Sequence, residues 1–211
     1  MTIQVPKNGL LQQWLAFTNS RSIMECTFFL PQEQELKDLL GERTAERLTA
    51  FGRHASGSLL AFYQEDAAAL PGDAGAPSPS VAESGAAGRD ADSLPVAWLD
   101  SEGSPCLVIG RNLREFLSVL PYGPGWIYTV AAVIENNPDA TEPDLLERIR
   151  ARAGANYSQL LETASKRFLD VAILRSWLTE LGIAVAADPA TWIMAAYREN
   201  KGLSSWIINN V

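Results

Sequence analysis

The residues able to do chemistry are few, and they gather around one turn. The only histidine, His54, stands two residues before Ser56 and four before Ser58. A base beside two hydroxyls suggests a hydrolase. Yet no nucleophile elbow surrounds either serine, and an imidazole needs a third group to orient it. The same turn, Gly52-Arg53-His54-Ala55-Ser56-Gly57-Ser58, has the outer spacing of a phosphate loop. It lacks the lysine, and a strand-like run follows where a phosphate loop opens a helix. Its glycines are read as serving a turn with positive φ. Two carboxylate pairs, Asp100/Glu102 and Glu65/Asp66, have the type for acid–base work, but acids side by side in turns are ordinarily solvated. Cys26 and Cys106 are read as buried free thiols in strands. One histidine and two cysteines fall short of the four ligands of a structural zinc site. No cofactor and no metal are expected, and no catalytic residue is assigned.

The elements that position these residues follow from composition and periodicity. Apolar residues make up 47% of the 211, enough for a sizeable core. No run of ~20 apolar residues suggests a membrane span. The stretch after Lys7 breaks at Gln12 and Gln13 and has no small-residue cleavage site, so it does not read as a signal peptide. A cytoplasmic protein is expected. The formal charge is −8. Residues 65–94 carry six acids and one base, a net −5, which leaves −3 for the rest. Such a chain repels phosphate backbones, and no basic patch is interleaved with aromatics, so nucleic acid is not an expected partner.

Ala, Gly, Pro and Ser supply 20 of the 30 residues from Glu65 to Leu94, and none is aromatic. This segment reads as a flexible low-complexity insertion in a loop between two strands. Before it, Ile23–Leu30 reads as a strand ended by Pro31. Gln32–Leu40 and Glu42–Phe51 read as helix, the second from the spacing of Ala45, Leu48 and Phe51. Gly52–Gly57 reads as a turn, and Ser58–Gln64 as a strand. After it, Val96–Leu99 and Cys106–Ile109 read as a hairpin around the turn Asp100–Pro105. Asn112 offers a helix cap with Glu115 three residues on. Leu113, Phe116, Leu117 and Leu120 form that helix's buried stripe, and Pro121 to Gly125 end it.

The C-terminal part, 141–211, reads as helical. Thr141 caps a helix with Leu145, Leu146 and Ile149. A long helix runs from Tyr157 to Leu181, with Leu160, Leu161, Ala164, Phe168, Val171, Ala172 and Leu178 on one face, and Gly182 stops it. Asp188-Pro189 opens another through Trp192, Ile193 and Tyr197. Trp206, Ile207 and Ile208 dock the end on the core. The six tryptophans read as core, with one exposed as a binding anchor. Strands first and helices after indicate an α+β fold in one domain over 1–211.

Three segments carry a resemblance. They are Phe51-Gly52 with Ser56-Gly57-Ser58-Leu59-Leu60-Ala61-Phe62-Tyr63, the run Pro95 to Gly103, and Val108 to Leu120. Together they resemble the SUKH superfamily, the Smi/Knr-like proteins common among bacterial immunity proteins. The likeness covers about residues 45–64 and 95–122, and the C-terminal helices loosely. It implies an antiparallel or mixed sheet packed against helices. It also implies a non-enzymatic protein, monomer or homodimer, that binds and neutralises a cognate toxin, often a nuclease or another enzyme. The alternative it leaves is a regulatory or scaffold protein of the same fold with a housekeeping partner. An acidic protein suits a basic toxin. Asp100 and Glu102, with Glu65 and Asp66 at the root of the insertion, are the expected partner-binding residues.

Overall fold

A computed structural model describes residues 3–19, 22–32, 36, 47–64, 90–102, 106–137, 139–153, 156–168, 170–200 and 202–203. Five strands form one antiparallel sheet in chain order: β1 (Cys26–Gln32), β2 (Leu48–His54), β3 (Leu59–Tyr63), β4 (Val96–Leu99) and β5 (Cys106–Gly110). Helix α1 (Leu10–Thr18) precedes the sheet. After it come α2 (Leu113–Val119), α3 (Pro124–Glu135), α4 (Glu142–Ala153), α5 (Tyr157–Arg167), α6 (Val171–Glu180) and α7 (Pro189–Glu199). The fold is α+β, as expected.

Alternation along the strands splits the core in two, since successive side chains leave a strand on opposite faces. Phe28, Phe51, Phe62, Trp98 and Ile109 lie on the face that receives the helices, in a cluster running from Leu11 to Met194. Leu48, Ala50, Ala61, Tyr63, Leu99 and Val108 lie on the other face, with Ala196 and Leu203. Aromatic rings pin the first face. Phe51 stacks on Phe62 at 4.3 Å between centroids, and Trp14 meets Phe28 edge-on at 4.8 Å. Helix α7 packs along β5 and covers that edge of the sheet.

Several expectations hold. β3 lies within Ser58–Gln64, and β4 and β5 pair as a hairpin with Leu99 opposite Cys106. The Asn112 side chain accepts the Glu115 N–H at 2.9 Å. The four residues of the expected stripe are buried to 1% exposure or less. Glu115 does not close a reciprocal box. Its carboxylate takes the N–H and guanidinium of Arg111 instead. Gly182 adopts φ +64 after α6, and Asp188 caps α7 through the Thr191 N–H.

Others are corrected. Leu48–Phe51 is strand, not helix. A bulge at Phe51, between the pairs Ala50–Ala61 and Gly52–Leu60, shifts the apolar pattern out of strict alternation and gives it a helical spacing. Gly52, Arg53 and His54 continue that strand, and the turn is only Ala55–Gly57. β1 starts at Cys26 and runs through Pro31, which an edge strand tolerates. α2 does stop ahead of Pro121, at Val119, as expected, but helix resumes at once. Leu120–Tyr122 is a 3₁₀ turn, and Pro124 starts α3 as its first residue.

The long C-terminal helix is two, broken after Arg167, where Phe168 is extended. Asp170 then starts α6 without capping it, because its carboxylate accepts the Met24 N–H at 2.6 Å. Ala172 is exposed rather than buried. The end of the expected insertion is ordered. Asp92 lies in a short 3₁₀ turn, and its carboxylate accepts the Leu10 and Leu11 N–H groups at the start of α1, where an acid also meets the helix dipole. Of the helix expected at Gln32–Leu40, Gln32 is the last residue of β1 instead, Leu36 is helical and buried, and the rest lies outside the described residues. Glu65–Arg89 and Trp206–Ile208 lie outside them entirely.

Replacing Asn112 by Ala removes the cap of α2 and is expected to cost about 1 kcal/mol. In a thermal melt this should read as a Tm lower by about 2–4 °C. An unchanged Tm would show that the cap carries no stability.

Candidate functional site

The turn residues singled out from the sequence do meet, at one end of the sheet. Antiparallel pairing of β3 with β4 sets Leu59 opposite Leu99. The turn before β3 therefore lies beside the turn after β4. Gly57, at φ +96, lets the two approach, since a Cβ there would stand 3.2 Å from the Ser101 Cβ. Ser58 donates its hydroxyl to Asp100 Oδ1 at 2.9 Å, and Asp100 Oδ2 accepts the Glu102 N–H at 3.1 Å. Ser101 Oγ donates to the Ser56 carbonyl at 3.1 Å. Ser56 Oγ lies 3.0 Å from Ser58 Oγ and 2.8 Å from His54 Nδ1.

Asp100 is 7% exposed and Ser58 is fully buried. This carboxylate ties two turns together and does not stand at a rim. Of the four expected partner-binding residues, Glu102 is exposed, Asp100 is not, and Glu65 and Asp66 lie outside the described residues.

Sequence reading missed Glu25. Met24 and Glu25 are the middle of a tight turn at φ 52 and 66, closed by the Cys26 N–H on the Ile23 carbonyl. Both are non-glycine residues in the left-handed region, a conformation costing of order 1–3 kcal/mol each. Surrounding bonds hold them there. Asp170 takes the Met24 N–H, and the Glu25 carbonyl accepts the Ala55 N–H at 2.9 Å. The Cys26–His54 register then puts Glu25 Oε2 3.4 Å from His54 Nε2. Arg167 stands 4.0 Å from Glu25 on the other side. No spacing rule links residues 29 apart, and the only local signal was an apolar run interrupted by one acid.

The Ser56 N–H also points at His54 Nδ1, at 3.2 Å. The tautomer with Nδ1 accepting puts the ring proton on Nε2. That atom is buried and has no aligned hydrogen-bond acceptor among the described residues, Glu25 included. His54 and Glu25 line a cleft of about 340 Å³. Its other walls are Tyr122, the start of α3 (Gly123 to Trp126, and Thr129), Arg152 of α4, and Leu160, Thr163, Ala164, Arg167 and Phe168 of α5 and its end. Ser56 is not among its lining residues.

The cysteines are as expected from sequence, buried thiols outside any disulfide, in β1 and β5. Burial pushes the Cys26 thiol up to about 12, with Glu25 and Asp170 adding to the shift, and pushes Cys106 up to about 11. Among the described residues no three His, Cys, Asp or Glu side chains are grouped to hold a metal ion. No single helix among them is long and apolar enough to cross a membrane. α2 and α3 with the turn between them have the combined length, but they bend by 105° and bury their apolar residues in the core. No protein-family model, no curated protein and no solved structure matches the chain.

Two outcomes follow. Asp100→Ala removes the acceptor of both the buried Ser58 hydroxyl and the Glu102 N–H and should lower unfolding free energy by about 1–3 kcal/mol in urea titration, against less than about 0.5 for exposed Ser56→Ala. A disulfide-exchange reagent at pH 8 should leave both thiols unreacted in the native protein and titrate both in denaturant, because each folded thiol holds its proton well above that pH. Fast reaction of the native protein would contradict the burial of both.

Proposed function

We propose that the chain is an immunity protein of the SUKH type, acting in the cytoplasm as a monomer or homodimer. It binds a cognate bacterial toxin and neutralises it by covering it, without chemistry of its own. One observation carries this reading: the residues that bear the resemblance do structural work. Gly57 permits the close approach of two turns, Ser58 holds Asp100, and Asn112 caps the helix that packs Phe116 and Leu117 on the sheet. A rigid sheet end that presents turns, with the chemical groups spent on holding those turns, suits a binding surface. The net charge of −8 suits a basic toxin such as a nuclease.

A hydrolase reading has one observation in its favour, the carboxylate of Glu25 beside His54. It is weakened by the placement of the hydroxyl. Ser56 sits on Nδ1, whereas the imidazole atom toward Glu25 is Nε2, and Ser56 does not line the cleft. A nucleophile outside the cleft has no substrate pocket around it.

Co-expression with the product of the neighbouring toxin gene should protect cells, and the two proteins should copurify. Absence of protection and of a complex would overturn the proposal. Glu102→Lys should slow association with a basic toxin severalfold at low salt, with the difference shrinking as salt is added. An unchanged rate would move the binding surface away from the hairpin turn.

A further inference from the structure

The cleft beside His54 is defined by hydrogen-bond donors that lack acceptors. Trp126 is 7% exposed, lines the cleft, and its Nε1–H has no partner among the described residues. His54 Nε2 is buried in the same condition. Arg152 has no ion pair or hydrogen bond among the described residues. Arg167 has only a loose pair with Glu25 at 4.0 Å and a stacking contact over Phe168 at 5.0 Å. Gly123 to Trp126, where α3 starts, line the cleft as well, and the Trp126 and Ile127 amides there are already bonded to the Gly123 carbonyl. A buried donor without an acceptor costs about 1–3 kcal/mol, and two in one cleft point to an acceptor that arrives from outside.

The one carboxylate among the cleft's lining residues, Glu25, is delivered by the left-handed Met24–Glu25 turn and faces both His54 and Arg167. Its charge offsets one of the two arginines, which leaves the cleft with one positive charge in surplus on an acidic protein. The remaining walls are mainly apolar and partly aromatic, Tyr122, Leu160, Ala164 and Phe168, with the hydroxyls of Thr129 and Thr163 among them. Space is available at the helix start, where a Cβ on Gly125 would meet nothing within 4 Å. A volume of about 340 Å³ holds a small molecule rather than a chain segment.

We infer that this cleft binds a small organic anion, a carboxylate or phosphate carried on an aromatic or aliphatic body. The anionic oxygens take the Arg152 and Arg167 guanidinium donors and the His54 and Trp126 N–H groups, and the body lies against Phe168 and Leu160. Arginine suits either oxyanion through its forked donors. This site is independent of the proposed toxin and needs no contact with it.

The test is titration of the whole protein with phenyl phosphate, benzoate and inorganic phosphate, followed through the Trp126 indole N–H resonance, which Trp126→Phe assigns. Either aromatic anion should shift that resonance saturably, and more tightly than inorganic phosphate does. The stronger of the two identifies the acidic group. Arg152→Gln with Arg167→Gln should weaken binding by at least about tenfold. Gly125→Leu should block it by filling the open space. Both changes are at exposed or open positions, and a native melt for each checks the fold. Failure of both aromatic anions to give a saturable shift would overturn the inference. So would equal binding by the double-arginine variant and by Gly125→Leu.

Discussion

The hydrogen bond from Ser58 to Asp100 is the constraint on which the working end of this molecule depends. Asp100 is the one carboxylate among the described residues that is buried to this degree. A buried carboxylate is costly unless its oxygens are satisfied. One oxygen takes the Ser58 hydroxyl and the other the Glu102 amide. The bond therefore locks the β2–β3 turn to the turn leaving β4, whose strands are already neighbours. Once those turns are locked, His54 has a fixed place. The register of β1 against β2 then brings Glu25 to it.

Around that end the structure is built for rigidity. β2 to β5 are covered on both faces, and α7 closes the β5 edge. The strained turn at Met24–Glu25 survives because Asp170 and Ala55 bind its backbone from separate elements. Two surfaces result. One is the group of turns at the end of the sheet, where Glu102 is exposed. The other is a small cleft whose donors run against the net negative charge of the chain. The first is the surface proposed for a protein partner and the second the site inferred for a small anion, and neither requires the other.

How much of this was legible in the sequence depended on whether the signal was local. β3, β4, β5, the Asn112 cap and the Asp188-Pro189 helix start each rest on residues within a few positions of one another, and each was read. Phe51 was misread because a bulge places two apolar residues where alternation allows one. α1 was missed because its cap is Asp92, 82 residues away from Leu10. The helix break at Phe168 was missed because Asp170 is occupied by Met24 rather than by its own helix. Asp100 was taken for a rim charge because nothing near it in sequence announces the Ser58 hydroxyl. The Glu25–His54 contact and the whole cleft arise from strand register and helix packing, which periodicity does not encode.

The claim that the chain acts by covering its partner is tested most directly by stoichiometry. Purified protein would be titrated into the purified toxin proposed as its partner, with residual toxin activity followed against molar ratio. Neutralisation by binding predicts a linear loss of activity that ends at a fixed ratio of chains, with both polypeptides recovered intact. Complete inactivation at a small fraction of that ratio, or recovery of a cleaved or modified toxin, would contradict it and assign the chain a catalytic role.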